Sequence, residues 1–133
     1  MNNVVRNYLN CYEKLNMPNL EKMMEMVDED ILFCDPFHTV KGRKKLGTLL
    51  KKFIQKFGQI NFKVLKVMSI ENQYLVKWKL LTLYRGKKIE FDGISELIIR
   101  KNLIASHVDY WDSGRNFYAK LPLIGRIFQS IHN

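Results

Sequence analysis

Hydrophobic positions recur along this chain at two periods, and the change from one to the other divides it. Up to about residue 57 the apolar residues fall three and four apart, the spacing of a helix face. Val5, Tyr8, Tyr12 and Leu15 predict a first helix over about 2–15, broken by Asn16-Met17-Pro18-Asn19. Asn19 reads as the N-cap of a short second helix carrying Leu20, Met23, Met24 and Val27, and Asp28-Glu29-Asp30 ends it. Ile31-Leu32-Phe33-Cys34 reads as a short strand running into Asp35-Pro36, and Val40-Lys41-Gly42 as a turn. A third helix is predicted over about 43–57. Leu46, Leu49, Leu50, Phe53, Ile54 and Phe57 make its apolar stripe, lysines fill the opposite face, and Gly58 is placed to stop it.

Beyond Gly58 the period becomes two. Strands are predicted over 62–70, 74–84, 88–100 and 103–111, the second being the clearest, with Tyr74, Val76, Trp78, Leu80, Thr82 and Tyr84 on one face. The connections between these strands are short, which implies antiparallel neighbours. Gly93, inside the third of them, predicts a bulge or bend. Ser113-Gly114 stops the last strand; a helical turn over 115–120 and an amphipathic helix over 123–132 follow. The sum is an α+β fold in which helices close one side of a strongly bent antiparallel sheet. The concave side of such a sheet is a natural place for a ligand pocket.

Composition adds limits. A chain of 133 residues, 47% of them hydrophobic, forms one domain over 1–133 and buries a core without disulfides or metals, with 114–133 as a helical C-terminal extension. Cys11 and Cys34 show no CxxC spacing and read as free thiols in a reducing compartment. The first residues lack the apolar run of a signal peptide, so a cytoplasmic location is expected. The net charge of +9 suits an anionic partner. However, Phe53 and Phe57 lie on the apolar face of the lysine-rich helix rather than among its lysines, so no nucleic acid is expected. His38, His107 and His132 have no metal-ligand spacing and the glycines form no phosphate loop, so neither metal nor other cofactor is expected.

Candidate chemistry gathers in two segments. In Ser106-His107-Val108-Asp109-Tyr110-Trp111-Asp112, strand alternation puts His107, Asp109 and Trp111 on one face. An imidazole beside a carboxylate in a half-apolar setting suits proton transfer; it equally suits a structural hydrogen bond. Asp112 reads as the cap of the tail. In Phe33-Cys34-Asp35-Pro36-Phe37-His38, the proline forces Asp35 into an extended conformation and His38 adds a second titratable group. The plain alternative for Asp35 is a turn-initiating Asp-Pro.

The order of elements, with Asp35-Pro36 after the first strand and His107-x-Asp109-Tyr110-Trp111-Asp112 closing the last, resembles the nuclear transport factor 2-like superfamily. Within it the chain is similar to SnoaL-like proteins and, more distantly, to steroid delta-isomerases. The tail segment Tyr118-x-x-Leu121-Pro122-Leu123-Ile124-Gly125 resembles an extension seen in a bacterial subgroup of unknown function. The resemblance implies a cone-shaped curved antiparallel sheet packed against three N-terminal helices around a deep apolar pocket. It places Asp35 on the general-base aspartate of the isomerases and Asp109, helped by His107, on the last-strand acid of SnoaL-like enzymes. Counting back from Asp35 puts Cys11 in the place of the isomerases' oxyanion-hole tyrosine, with Tyr8 and Tyr12 close by. Their second oxyanion acid falls near Ser95, with Glu96 beside it, so that hole is not reproduced.

The expectation is a cofactor-independent isomerase, cyclase or dehydratase acting on a hydrophobic small molecule. Asp35, His107 and Asp109 are the candidate acid–base groups, and Tyr12, Phe33, His38, Trp78, Tyr84 and Trp111 the pocket lining. The alternative is a non-catalytic binding protein for a lipid, polyketide or similar apolar ligand. A homodimer through the exposed face of the sheet is expected, and a weaker possibility is contact of the tail (Leu123, Ile124, Ile127, Phe128, Ile131) with a membrane surface.

Overall fold

The structure, a computed structural model, describes residues 1–112. The tail predicted to be helical lies outside them. Three helices, α1 (Asn3–Glu13), α2 (Met17–Met24) and α3 (Arg43–Phe57), alternate with and then give way to six strands. These are β1 (Val27–Cys34), β2 (Thr39–Lys41), β3 (Asn61–Ile70), β4 (Gln73–Tyr84), β5 (Lys87–Arg100) and β6 (Leu103–Tyr110). They form one curved sheet in the order β2-β1-β6-β5-β4-β3.

The sheet is mixed. β3 to β6 pair antiparallel as their short connections require, but β1 runs parallel to β6, with Phe33 opposite His107 and Cys34 opposite Val108. The expectation of an antiparallel sheet fails at this one pair. β1 and β6 are separated by α3 and three strands, and a long crossover of this kind is what parallel neighbours need. The loops between β4 and β5 and between β5 and β6 turn on Arg85-Gly86 and Lys101-Asn102, all four at positive φ, the geometry of two-residue hairpins.

Several boundaries differ from the sequence reading. α2 is capped by Asn16, whose side chain accepts from the Asn19 backbone N–H at 3.0 Å; Asn19 is not the cap. Pro18 thereby falls in the first turn, where its missing N–H costs nothing. Leu15 has left the first helix and bridges Ile60, with paired backbone bonds of 2.7 and 3.1 Å. Val27 belongs to β1, where its carbonyl accepts from the Arg43 guanidinium at 2.9 Å. Val40-Lys41 is not a turn but part of the short edge strand β2, and only Gly42 turns, at φ 104°.

Gly93 makes no bulge. The ladder of β4 and β5 runs unbroken through the Trp78–Gly93 pair. The register shifts instead between Val64 and Lys66 on β3 and between Ile98 and Ile99 on β5. Gly93 is required for another reason: a Cβ there would meet the Trp78 ring at 2.3 Å. The indole lies flat over the backbone.

The helices cover the concave face. α1 packs on β3 and β6, α2 on α1 and α3, and α3 on β1, β2 and β4. Their apolar stripes and the inward residues of the strands form one continuous core. No helix among the described residues is long and apolar enough to cross a membrane.

Candidate functional site

Alternation along β4, β5 and β6 sends Trp78, Ser95, His107 and Asp109 into the concave side, and α1 delivers Tyr8 and Tyr12 from above. These six side chains join in one hydrogen-bonded chain. The Tyr12 and Tyr8 hydroxyls are 3.4 Å apart, and Tyr8 Oη is 2.7 Å from His107 Nδ1. His107 Nε2 is 2.7 Å from Asp109 Oδ1. The Ser95 hydroxyl donates to the same oxygen, and Trp78 Nε1 donates to Ser95 Oγ at 2.7 Å.

Burial raises both tyrosine pKa values well above the ordinary 10, so both remain protonated hydroxyls. The proton count then closes in two ways. With a neutral His107, Nε2–H donates to the Asp109 carboxylate, Tyr8 donates to Nδ1, and Tyr12 donates to Tyr8. With an imidazolium, Nδ1–H donates to Tyr8 and the two hydroxyls reverse. In either state each bond of the chain has one donor and one acceptor.

Both bonds to Asp109 fall on Oδ1; Oδ2 has no hydrogen-bond partner among the described residues. Asp109 also lines the main cavity together with Tyr12, Asp35, Trp78 and Trp111. The remaining walls are apolar and mostly aromatic, from Phe33, Phe53, Phe57, Phe62 and Phe91. The cavity, a slot between these walls, measures about 50 Å³. That is room for roughly three to five waters. Behind Asp109 a second cavity of about 20 Å³ adjoins Ser95 and His107.

Asp35 stands at the same cavity in a different condition. Its Oδ1 accepts from the backbone N–H groups of Phe37 and His38, at 2.8 and 2.6 Å, and lies 2.9 Å from His38 Nδ1. Its Oδ2 lies 3.0 Å from the same ring nitrogen. The Asp35 backbone N–H in turn donates to the His38 carbonyl at 2.9 Å. The carboxylate ties the turn after β1 together while one edge of it faces the slot.

Of the residues expected in the lining, Tyr12, Phe33, Trp78 and Trp111 are there. His38 is buried but sits against Asp35 and the edge of Phe53. Tyr84 packs edge-on to Phe57, outside the slot. His107 lies one layer behind the main cavity wall, enclosed by Tyr8, Tyr12 and Phe33. Cys11, counted into the place of the oxyanion-hole tyrosine, is not part of the hydrogen-bonded chain; Tyr8 and Tyr12 on either side of it are. Tyr8 and Ser95 were not expected to carry the site. Their signal was a hydroxyl in an inward row of otherwise apolar residues. Among the described residues no three His, Cys, Asp or Glu side chains converge as a metal site would require.

A curved sheet closed by three helices, with a buried carboxylate–imidazole–hydroxyl chain at one wall of an aromatic slot, defines a pocket-forming α+β domain of the nuclear transport factor 2-like class. The chain belongs to the SnoaL-like domain family, whose model matches residues 5–107. Solved structures agree on the fold. An LEH-like epoxide hydrolase of M. tuberculosis superposes with a TM-score of 0.76 at 15% identity, over 95% of this chain and 93% of that one. A putative polyketide cyclase of Xanthomonas campestris pv. campestris gives 0.75 at 13%, over 84% and 90%. An NTF2-like protein of Anabaena variabilis gives 0.72 at 18%, over 83% and 87%. No curated protein matches the sequence significantly.

Proposed function

We propose that the slot takes a hydrophobic small molecule and that Asp109 moves a proton on it, in a cofactor-independent isomerisation, cyclisation or dehydration. One observation carries this reading: Asp109 presents Oδ2, without a partner among the described residues, at a cavity wall while Oδ1 is held by His107 and Ser95. A base must be fixed in place and still have a lone pair to use. His107 orients the carboxylate, and Tyr8 fixes the imidazole from the far side. The solved relatives described as a polyketide cyclase and an epoxide hydrolase have the same architecture and support a site at this place. Asp35, one residue past the Cys34–Val108 pair, is the second carboxylate at the slot, with its Oδ1 committed to the backbone donors of Phe37 and His38.

The Asp35 geometry also favours a second reading, a binding protein without chemistry, because one of the three expected acid–base groups is engaged in holding a turn. Turnover assays across small cyclic ketones, epoxides and enolisable polyketide-like substrates separate the two. On the catalytic reading, Asp109→Asn lowers turnover by about 10²–10⁴, and Asp35→Asn lowers it less. Equal rates for wild type and Asp109→Asn on a substrate that is turned over would remove the assignment. We place a homodimer contact on the outer face of the sheet, where Met68, Leu75, Ile94 and Tyr110 are exposed side chains of neighbouring strands. Sedimentation equilibrium showing a monomer at all concentrations would count against it.

A further inference from the structure

The inward row of β4 runs Tyr74, Val76, Trp78, Leu80, Thr82. Four of the five bury large apolar or aromatic bodies; the fifth is a threonine, 7% exposed. Thr82 lines the main slot, and its hydroxyl is buried with no hydrogen-bond partner among the described residues. A buried hydroxyl without a partner destabilises the fold that carries it, and a valine would fill nearly the same volume without that cost. The fold therefore gives no reason for this oxygen.

Its position gives one. Thr82 lies four residues beyond Trp78 on the same face of β4, about 13 Å along the strand. Trp78 points its N–H toward Ser95 and so toward Asp109. The slot thus has a polar end at Asp109 and Tyr12, a polar end at Thr82, and apolar walls such as Leu80, Phe57 and Phe91 between them. In register Asp109 pairs with Ser95 and Ser95 with Val76, six residues from Thr82 along β4, so the two polar ends lie in well-separated rows of the sheet.

We propose that Thr82 is the anchoring group at the far end of the slot, and that the ligand is a largely apolar molecule carrying an acceptor oxygen at the end away from the part that meets Asp109. The inference rests on the proposed site only for the identity of the Asp109 end; the anchor itself requires no chemistry.

Binding tests it directly. The chain has two tryptophans, Trp78 and Trp111, and both line the slot, so quenching of intrinsic fluorescence reports occupancy. The probes are acetophenone and ethylbenzene, which share shape and differ in one acceptor oxygen. Wild type binds the ketone about three- to tenfold more tightly, the range of one neutral hydrogen bond. Thr82→Val loses this preference through the ketone alone, with the ethyl compound unchanged within about twofold. Its melting temperature stays the same or rises by a few degrees, about what loss of an unpartnered hydroxyl releases. Thr82→Ser keeps the preference. The same preference in Thr82→Val as in wild type overturns the assignment, as does no preference in wild type or no quenching by either probe. Failure of the acid–base reading would show separately: Asp109→Asn keeps the ketone preference whatever it does to turnover.

Discussion

Replacing Gly93 by alanine adds one methyl group to a β-strand, a change that is ordinarily harmless. Gly93 is not at positive φ, so the backbone accepts an L residue, and the loss of unfolded-chain freedom alone would stabilise by about 0.4–1 kcal/mol. The new Cβ, however, would sit 2.3 and 2.4 Å from two atoms of the Trp78 ring and 3.0 Å from a third. The obstacle is the body of a buried indole held between Phe62 and Phe91, not the free end of a flexible chain. Overpacking of this kind costs about 1–3 kcal/mol. If the indole lifts, it also releases its 2.7 Å bond to Ser95, a further loss of about 0.5–1.5 kcal/mol. The balance is a net destabilisation of about 1–4 kcal/mol, measured by urea unfolding followed by far-ultraviolet circular dichroism. The decisive comparison is the same substitution in a Trp78→Leu background. There the clash is gone and Gly93→Ala is neutral or stabilising, so the two changes are strongly non-additive. An equal cost in both backgrounds would refute the claim that Gly93 exists to seat Trp78.

Two more outcomes follow from the buried tyrosines. Tyr8→Phe strips the donor from a buried ring nitrogen and lowers stability by about 1–3 kcal/mol, whereas Tyr12→Phe, which loses only a 3.4 Å contact, costs less than about 1 kcal/mol; the reverse order in denaturant titrations would show that the proton chain is misread. Because burial raises both tyrosine pKa values, the unfolded chain gives up these protons first, at about pH 10. Their contribution is therefore intact below pH 10 and falls above it, by up to about 2.7 kcal/mol per pH unit for the pair. Tyr8→Phe should roughly halve that slope, and an unchanged slope would mean that Tyr8 ionises as freely in the folded protein as in the unfolded one.

Periodicity made the helix α3 and the strands β4 and β5 legible, because each buries one face and exposes the other over many residues, whereas β3 is at most half-buried and β6 buries Ile104 to His107 without alternation. It could not show that β1 and β6 lie side by side, since a strand's pattern says which face is buried and nothing about its neighbour. β2 has three residues, too few for any period. Asn16 and Asn19 both have capping chemistry, and the choice depended on whether Pro18 ended a helix or began one. Gly93 read as a bend because its actual cause, a tryptophan on the adjacent strand, is a tertiary contact. The face on which His107 and Asp109 were expected is the one that meets Tyr8, Ser95 and the slot. What composition hid was the row of polar exceptions: Thr82 on β4, Ser95 on β5, His107 on β6 and Tyr8 on α1 all occupy positions where the local pattern calls for a hydrocarbon. Such exceptions are where a sequence departs from the demands of its own core.

The parallel pairing of β1 with β6 has a consequence in time. Hairpins β3–β4, β4–β5 and β5–β6 join segments adjacent in the chain and close cheaply, whereas β1 must wait for a strand that comes nearly last. The Phe33–His107 contact belongs to that late ladder, and Asp35 begins the turn immediately beyond it. The two carboxylates therefore come side by side at the slot only when β6 docks. A growing chain released before residue 103 holds most of its helices and hairpins and none of its chemistry.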